Sequence, residues 1–584
     1  MTSIETPDVG IETPVALIET PVVCKVVIDG REMRQRVSSV VLHQFIDRHH
    51  VLKVSVLQEG EGSSESDFGD PASYTAFLGK TVAVTISPAN GAVDASREME
   101  FVGVVTEVSV DNSIDRLNTV VITAQSPTVA LDGSPQVTLF EEQTASDIIG
   151  LVVSGYPIST GTMESTSTSI PYCVQHYETD YQFVMRLAEG ASLFAYYDGK
   201  EFKSQKANGS SPEALVWRET LGKFAFGLGT TASKFASKSW DYTNKAEVEG
   251  ESDSSALQSS PSDLARISID ASNQIYSKAG FVEASKATDQ SGIDSTLGVR
   301  VEGRVGQMVR CVGESIVPSV KVGQCVKVEG MAKLDGLFWV TEVKHVFDDS
   351  GKYHNKFVSS PLDVAFPAKK TARPSVTKLQ TGTVVDLDDP EAIARIKVNL
   401  PALGIDSSWI RYVSPHAGSE RGIVTMPEVG DEVLVGFVAG NPDLPIALGS
   451  LYNGGPDKPP VVPDNKNETK VFLTKGGNEI RITDTSGSEE IKIINATGEN
   501  TIVLEKGGPS ISIESKGDIS ITATGDISLK GANIKLEADQ GIELKSMANT
   551  KVEATGQLAL KGTGGVDVDS AAILNIKGSL VKIN

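Results

Sequence analysis

The chain has 584 residues, with 76 acidic against 53 basic side chains and a formal net charge of −23. That length is enough for three or four domains of ordinary size. The negative charge disfavours binding to nucleic acid or to an anionic membrane surface. No apolar run approaches the roughly 20 residues that a membrane-spanning helix needs. We therefore expect the partners to be proteins.

The amino-terminal residues 1–21 repeat the sequence IETP three times. The recurring proline removes backbone donors and disfavours a helix, so we predict an extended arm. A disordered leader and a strap on a neighbouring subunit are equally good interpretations of this arm. The stretch lacks the basic and apolar regions of a secretory signal, so we expect synthesis in the cytoplasm. The cysteines Cys24, Cys173, Cys311 and Cys325 form no CxxC pair, which favours four buried free thiols over a zinc or redox site.

Apolar residues alternate with polar ones from 22 to about 124, which predicts an antiparallel barrel or sandwich. The same period near 300–366 predicts a second barrel. Two segments between them, 144–155 and 180–192, have helical spacing after N-cap residues. Residues 246–264 are rich in serine and acidic side chains, so we interpret them as a loop or linker.

A basic, proline-containing stretch at 367–378 marks a boundary. Beyond it, about five short strands with tight turns have the size of a small Greek-key barrel of the OB type. In EVGDEVLVGF, Gly430 predicts a turn. Val433, Val435 and Phe437 are expected to point into the barrel.

From about residue 471, pairs of aliphatic residues recur at first every nine to eleven residues and then about every eight, beginning with Val471/Leu473. Each unit predicts one strand with its two aliphatic side chains on one face, plus a turn. Eight residues make only one side of a prism, so we expect three chains to wind into an intertwined triple-stranded β-helix. About fourteen units stacked at ~4.8 Å give a rod of about 70 Å. The predicted needle core includes Ile511, Ile513, Ile519, Ile521, Ile527 and Leu529.

Two motifs carry a family resemblance. MPEVGDEVLVGFVAGNPDLPIALGSLYNG (426–454) and CVQHYETDYQFVMRLAEGASLFAYYDG (173–199) resemble the VgrG family, the spike proteins of contractile injection systems. That family is similar to the hub and cell-puncturing proteins of contractile phage tails. The resemblance covers most of 22–584, although no motif aligns over about 205–330.

The resemblance implies a mainly β protein with tube-like barrels, short helices, an OB fold and a carboxy-terminal triple-stranded β-helix. The implied domains are an arm (1–21), a phage-hub-like region with two tube-like barrels and an α/β insertion (22–375), an OB-fold domain (376–460) and a trimeric needle (461–584). Such a homotrimer would join a six-fold inner tube of an Hcp-like protein to a three-fold needle. The needle would puncture the target envelope when the sheath contracts.

The resemblance also implies no enzymatic activity and no cofactor. Expected partners are baseplate proteins, possible effectors and a PAAR-type tip protein, with the target membrane touched only by mechanical puncture. As part of an injection particle, the protein would leave the producing cell or enter the target cell. An open prism would expose strand edges at its end, so we expect a tip-protein contact at Leu580, Val581, Lys582, Ile583 and Asn584.

Three machines remain open: a type VI secretion apparatus, an extracellular phage-like particle and a phage tail. A trimeric β-helical fibre or adhesin is the alternative function, although it would need a secretion signal or anchor. A carbohydrate-active β-solenoid enzyme would need a groove lined by carboxylates and aromatics. Residues 471–584 hold only one aromatic, Phe472.

Few residues suggest chemistry. His43, His49 and His50 could indicate a metal site, but we interpret them as a solvated strand-and-loop cluster. Glu178 and Asp180 precede a helical segment and suit its positive end, which favours capping.

The carboxylates of the sequence DLDDP (386–390) could mimic an acid–base pair, but a strand-ending turn is the simpler interpretation. The sequence contains no HExxH, GxSxG, P-loop or Rossmann fingerprint. We therefore predict no catalytic, metal or cofactor residues.

Overall fold

The computed structural model describes residues 22–33, 37–57, 76–89, 97–111, 119–257, 261–282 and 290–583. The predicted arm, 1–21, lies outside them. The chain divides into two compact units, Met1–Pro459 and Pro460–Asn584, each considered by itself below. Within the described residues, no helix is both long enough and apolar enough to cross a membrane.

The described residues of the first unit up to residue 361 form twenty-one strands. The first ten are β1 (Val22–Ile28), β2 (Arg31–Glu32), β3 (Val37–Phe45), β4 (Val51–Leu57), β5 (Thr81–Pro88), β6 (Met99–Asp111), β7 (Thr119–Gln125), β8 (Gln136–Thr144), β9 (Thr160–Met163) and β10 (Ser169–Glu178). The others are β11 (Phe194–Tyr197), β12 (Phe202–Gln205), β13 (Glu213–Val216), β14 (Leu221–Leu228), β15 (Phe235–Asp241), β16 (Ala246–Ser252), β17 (Gly280–Phe281), β18 (Val309–Ser315), β19 (Cys325–Glu329), β20 (Gly336–Asp348) and β21 (Tyr353–Pro361).

Thirteen of these strands form one continuous sheet, in the order β14-β18-β21-β20-β3-β4-β7-β6-β5-β1-β2, with β19 pairing to β20 and β13 to β19. The amino-terminal half and the later half meet where β3 runs antiparallel to β20, with Val41 opposite Val346. We call this pairing the seam. Each half has its own hydrophobic core, so both predicted barrel regions are present, joined edge to edge. The later half begins at β13, well before residue 300.

Four helices accompany the sheets: α1 (Ala145–Ser154), α2 (Asp180–Gly190), α3 (Asp263–Ile275) and α4 (Gln290–Val305). The first two were expected. Each of these two helices begins with a capping box. The threonine side chain, Thr144 in α1 and Thr179 in α2, accepts a hydrogen bond from the backbone N–H three residues later. The side chain of that later residue, Asp147 or Gln182, accepts a hydrogen bond from the backbone N–H of the threonine. Their apolar faces share a core with β8 and β10.

The interpretation of 246–264 as a loop or linker is wrong for residues 246–252. Residues 246–252 form β16, which pairs along its whole length with β15. Glu247, Glu249 and Glu251 alternate with Val248 and Gly250, so the acidic composition hid a period of two. The far face packs on α4: a side chain on Gly250 would meet Ile293 Cγ2 at 2.8 Å.

The OB region consists of β22 (Gln380–Asp386), β23 (Arg395–Leu400), β24 (Ile405–Asp406), β25 (Ile410–Arg411), β26 (Ala417–Gly418), β27 (Arg421–Gly422), β28 (Glu432–Phe437) and β29 (Pro445–Ser450). Its core contains Val433 and Val435, and Phe437 packs against it. The predicted direction of these three side chains is confirmed. Gly430 lies in the expected turn with φ +101°.

Buried polar contacts connect the hub region to the OB region. The backbone N–H of Val174 donates to Asp443 Oδ1 at 2.8 Å, and Arg373 pairs with the same carboxylate. Tyr172 Oη donates to the carbonyl of Asp406 at 3.3 Å. The two regions therefore form one unit, although the sequence predicts a boundary between them.

Glu178 was expected to cap α2, but it has another role. Its carboxylate accepts two hydrogen bonds from Arg186, from Nε at 2.6 Å and from Nη2 at 2.7 Å. Both side chains are at least nine-tenths buried. Thr179 caps the helix instead, and Asp180 accepts hydrogen bonds from Tyr156 and Gln175.

The second unit contains five described strands: β30 (Thr469–Leu473), β31 (Glu479–Thr483), β32 (Glu490–Ile494), β33 (Asn500–Glu505) and β34 (Ser510–Ser515). They form an antiparallel meander in chain order. No helix or strand is assigned from 516 to 583.

We expect Arg186→Met to destabilise the first unit by about 3–5 kcal/mol, because it leaves Glu178 as a buried charge without its partner. Urea unfolding of the full chain at neutral pH would measure this loss. The double variant Arg186→Met/Glu178→Met is the control, and it should recover most of the stability. A loss below about 1 kcal/mol in the single variant would contradict the importance of the pair.

Candidate functional site

One face of the meander in the second unit is a ladder of apolar side chains. In the antiparallel pairs, Ile482 lies opposite Ile491, and Ile493 lies opposite Ile502. Directly opposite residues share a face and lie close enough to pack together. The full apolar ladder consists of Phe472, Ile480, Ile482, Ile491, Ile493, Ile502, Leu504, Ile511 and Ile513.

Within one chain this apolar ladder is exposed while the opposite face is the better covered one. Ile480 is 44% exposed, whereas the side chain of its neighbour Glu479 on the opposite face is 17% exposed. Glu479 pairs with Arg481 on that face, and the hydrogen bond from Arg481 lowers the pKa of the carboxyl. A soluble single chain would bury the isoleucines instead. The apolar ladder therefore has the character of an interface.

The apolar ladder also corrects the first predicted pair. Val471 and Leu473 lie opposite Arg481 and Glu479, on the polar face. Phe472 lies opposite Ile480 and supplies the aromatic member of the apolar face. The spacing of Val471 and Leu473 matched the later pairs, but register is set by the hydrogen-bonded partner strand. The one feature of the sequence that could have indicated the correct register is the apolar Phe472 between Val471 and Leu473.

Residues 516–583 repeat an extended segment followed by a bend. The bends fall at 516–517, 524–525, 532, 539–540, 547–548, 555–556, 563–564, 571–572 and 579–580. After the first eight bends, the second and fourth residues are aliphatic, with Thr550 as the exception. The period of about eight residues, read from the sequence, therefore has a structural counterpart in the backbone.

These repeats make no backbone–backbone hydrogen bond within the described chain beyond the one donated by Lys516 to Glu499. Their aliphatic side chains are exposed, including Ile519, Ile521, Ile527 and Leu529. An extended chain needs partners for its N–H and C=O groups whenever water is excluded. The enclosure of the predicted core by other chains stays a prediction.

The predicted tip contact lies at the end of these repeats. Leu580, Val581 and Ile583 are exposed, and Ile583 is 90% exposed. Lys582 is exposed as well. Asn584 lies outside the described residues. No described residue contacts these side chains closely enough to bury them, and their role stays a prediction.

The histidines are not solvated as expected. His50 is fully buried and its Nε2 bonds the carbonyl of Phe45 at 3.1 Å. His43 pairs across the seam with Glu342 at 2.7 Å. His49 Nδ1 bonds Thr128 Oγ1 at 2.9 Å, and its Nε2 lies 3.5 Å from Asp132.

Thr128, His49 and Asp132 lie side by side in the fold and have the residue types of a nucleophile, a base and an acid. Thr128 is only 2% exposed, and its hydroxyl also bonds the buried hydroxyl of Ser126 at 2.7 Å. A substrate cannot reach such a hydroxyl, so the hydrogen bonds of Thr128 to His49 and Ser126 have a structural role. Within the described residues, no group of three or more His, Cys, Asp or Glu side chains is arranged to hold a metal ion.

A second buried histidine lies on the seam strand β20. His345 Nδ1 bonds Tyr353 Oη at 2.7 Å, and Asn355 donates to the same oxygen at 3.0 Å. Burial lowers the pKa of both His50 and His345 to about 3. The charges of His49 and His43 lower the pKa of His50 further, and the charges of His50 and His43 lower that of His345 further. Both imidazoles are therefore neutral at physiological pH.

The DLDDP carboxylates form the expected turn. Asp389 Oδ2 accepts the N–H groups of Ile393 and Arg395, and its Oδ1 accepts from the Arg395 guanidinium. Burial opposes ionisation, but these hydrogen bonds lower the pKa of Asp389 to about 2. Of the four cysteines, all free, Cys24 is half-buried and the others are buried.

Comparison with known proteins matches this architecture to two families. The sequence model described as phage tail baseplate hub (GPD) matches residues 52–351, just over half of the chain. The chain belongs to the phage tail baseplate hub family. A second model, described as a type VI secretion system/phage-baseplate injector OB domain, matches residues 380–452.

Relatives of this hub-family chain include VgrG spike proteins. The type VI secretion system spike protein VgrG3 of Vibrio cholerae is 33% identical over 127 residues, which cover 20% of this chain and 12% of that protein. VgrG1b of Pseudomonas aeruginosa is 24% identical over 375 residues, 58% of this chain and 50% of that protein. The chain spans less than a fifth of the length of the first relatives that it matches.

A solved structure of a Francisella PdpA–VgrG complex has a similar fold, with a TM-score of 0.57 at 9% identity, covering 85% of this chain and 89% of that one. The resemblance to VgrG spike proteins and the mainly β, hub-like and OB architecture are thus confirmed. The carboxy-terminal triple β-helix stays a prediction.

We expect stability to fall as the pH drops below about 6.5, because histidines in the unfolded chain titrate there while His50 and His345 bind a proton only near pH 3. The unfolded state then holds more protons, which costs about 2 kcal/mol per histidine at pH 5. Urea midpoints across this pH range would show it. His345→Gln should lose about 2 kcal/mol less than the parent between pH 7.5 and 5, and His416→Gln, in an exposed loop, should behave as the parent. An unchanged pH dependence in His345→Gln would refute the assignment.

We also expect the apolar ladder to drive self-association. Ile502→Glu places a charge on the apolar face of β33 and should abolish the oligomer, whereas Val503→Glu places the same charge on the opposite face and should leave it intact. Light scattering of the full chain would measure the mass of each variant. Equal masses for the two variants would show that the apolar ladder is not the interface.

Proposed function

We propose that this chain is a structural spike of a contractile injection system, which joins a six-fold inner tube to a three-fold needle that punctures the target envelope. The observation that carries the proposal is the state of residues 516–583. They repeat a strand-length segment and expose its aliphatic pairs, and from 517 on they make no backbone–backbone hydrogen bond with the described residues. Three such chains wound together supply both the apolar core and the hydrogen bonds.

The number of chains follows from the unit length. A unit of about eight residues makes one side of a prism, so three chains close it with each aliphatic pair inside. Closure also removes free strand edges, which would otherwise recruit further chains. An intertwined trimer cannot shear without breaking many strand ladders together, and this resistance suits a needle that must transmit axial force.

The hub region supports the upper end of the spike. Its sheet has two halves, each with its own core, so three chains would present six half-sheets to a tube. We propose an Hcp-like inner-tube protein as the partner at this end. The family of the chain is named for the baseplate hub, which is the position such an adaptor occupies.

Partners at the needle follow from its exposed end and from the relatives. A PAAR-type tip protein would cover Leu580, Val581, Lys582, Ile583 and Asn584, and the Francisella VgrG neighbour is in a complex with PdpA, which supports partners of the tip or effector class. We propose synthesis in the cytoplasm, followed by delivery outside the cell or into a target when the machine fires.

We propose that the chain itself is not an enzyme. Most of the relatives are named as spike proteins, while one is named actin cross-linking toxin VgrG1, and this chain spans 12% of that protein. Thr128, the hydroxyl residue beside His49 and Asp132, is only 2% exposed, so a substrate has no access to its hydroxyl. A trimeric fibre or adhesin remains the second candidate; the hub-family match over residues 52–351 favours the spike.

The deciding measurement is the mass of the full chain in solution by light scattering. We expect a trimer that survives mild detergent, because its aliphatic pairs and strand ladders are shared between chains. Electron microscopy of the same sample should show a rod extending from a ring. A monomer at micromolar concentration would overturn the proposal, and a trimeric rod without a ring would favour the fibre.

A further inference from the structure

The segment between the last hub strand and the OB region runs across the hub helices. We call residues 367–373 the strap. The N–H groups of Lys370 and Thr371 donate to Glu189 Oε2 at 3.1 and 3.0 Å, and Thr371 Oγ1 donates to Glu189 Oε1 at 3.0 Å. Lys370 Nζ also donates to Asp47 Oδ2 at 2.5 Å. The strap is therefore held at the carboxy-terminal end of α2.

Several cationic side chains gather beside the strap. Arg186 extends from α2, Arg300 from α4, and Lys369 and Arg373 from the strap itself. Burial lowers the pKa of Lys369, and the charge of Arg300 lowers it further, with smaller effects from Arg186 and Arg373. The charge of the Glu189 carboxylate acts in the opposite direction and raises the pKa of Lys369. The cations therefore repel one another here.

The carboxylates nearby are already engaged. Glu178 is taken up by both guanidinium nitrogens of Arg186. Asp443 accepts from the N–H of Val174 as well as pairing with Arg373. Glu189 accepts the three hydrogen bonds of the strap. Four cations thus face three carboxylates, which leaves one positive charge in excess.

Three buried donor atoms of Arg300 and Arg373 have no hydrogen-bond partner: Nε of Arg300, Nε of Arg373 and Nη2 of Arg373. Of these, Nη2 of Arg373 forms the ion pair with Asp443, so the two Nε atoms lack any partner. Burial lowers the pKa of Arg373 to about 9, and Arg186 adds to the effect, yet the guanidinium still keeps its proton at neutral pH. Buried N–H groups almost always have an acceptor, and the acceptor is often a water molecule or an ion when the protein supplies none.

We propose that a small oxyanion of the phosphate or sulfate class binds between α2, α4 and the strap, where it accepts hydrogen bonds from Arg300 and Arg373 and neutralises the excess charge with Lys369. A tetrahedral oxyanion offers several acceptor oxygens and matches the planar donor fork of arginine. A water molecule would satisfy one donor but would leave the charge. The anion would brace the strap, and with it the junction of the hub and OB regions.

The overall charge makes the test selective. At a net charge of −23 the protein repels anions, so a saturable effect of an anion must come from a local cationic site. The probe is inorganic phosphate, titrated calorimetrically into the full chain and compared with sodium chloride at equal ionic strength. Sulfate and acetate are titrated in parallel. We expect saturable binding of phosphate and sulfate with an increase in melting temperature, and no such response to chloride or acetate.

Three variants locate the site. Lys369→Gln and Arg300→Gln should each weaken phosphate binding about tenfold or more, because each removes a charge-assisted contact. Lys378→Gln removes an exposed charge of the same basic segment and should bind as the parent does.

The outcomes that would overturn the site are a phosphate response no larger than that of chloride, or unchanged binding in both Lys369→Gln and Arg300→Gln. Binding of acetate equal to that of phosphate would replace the oxyanion class with a carboxylate. None of these residues belongs to the repeats, so the result is independent of whether the chain assembles as a needle.

Discussion

Backbone hydrogen bonding is the constraint on which the carboxy-terminal repeats, residues 517–583, depend. An extended chain that excludes water must pair its N–H and C=O groups, and residues 517–583 pair none of theirs with each other. Because the bends are regular and the aliphatic pairs keep a constant position, every unit presents the same apolar face, and each can pack against the same kind of partner strand. In the proposed needle several chains would complete this structure, and its mechanical strength would follow from the strand ladders that they share.

The first unit differs from these repeats, because its strands pair and its hydrophobic cores form within one chain. Its two sheet halves meet at β3 and β20, and its hub and OB regions meet at Asp443, Val174 and Arg373. Buried charges at such junctions are costly unless they are paired. They also hold the joined parts in one geometry, since a shift would separate the partners, which suits a part that passes force from one element to the next.

Periodicity predicted the fold wherever one face of an element was buried. It found the amino-terminal barrel, the first two helices and the inward residues of the OB region, including Val433 and Val435. It failed at β16, where alternating glutamates resembled a linker, and at Phe472, where register depends on a partner strand. The Glu178–Arg186 pair and the burial of His50 arise from tertiary contacts, for which a single sequence gives no local signal.

The two units differ in what their folding requires, and this difference suggests an order of assembly. A unit that buries its own cores folds at any concentration, whereas strands that need other chains form only when those chains meet. In the proposed spike, a folded hub that brought three chains together would raise the effective concentration of their repeats, since the repeats are tethered to it. The needle would then close after the hub, and exposed aliphatic units such as Ile519 and Ile521 would remain open to non-specific association for only a short time.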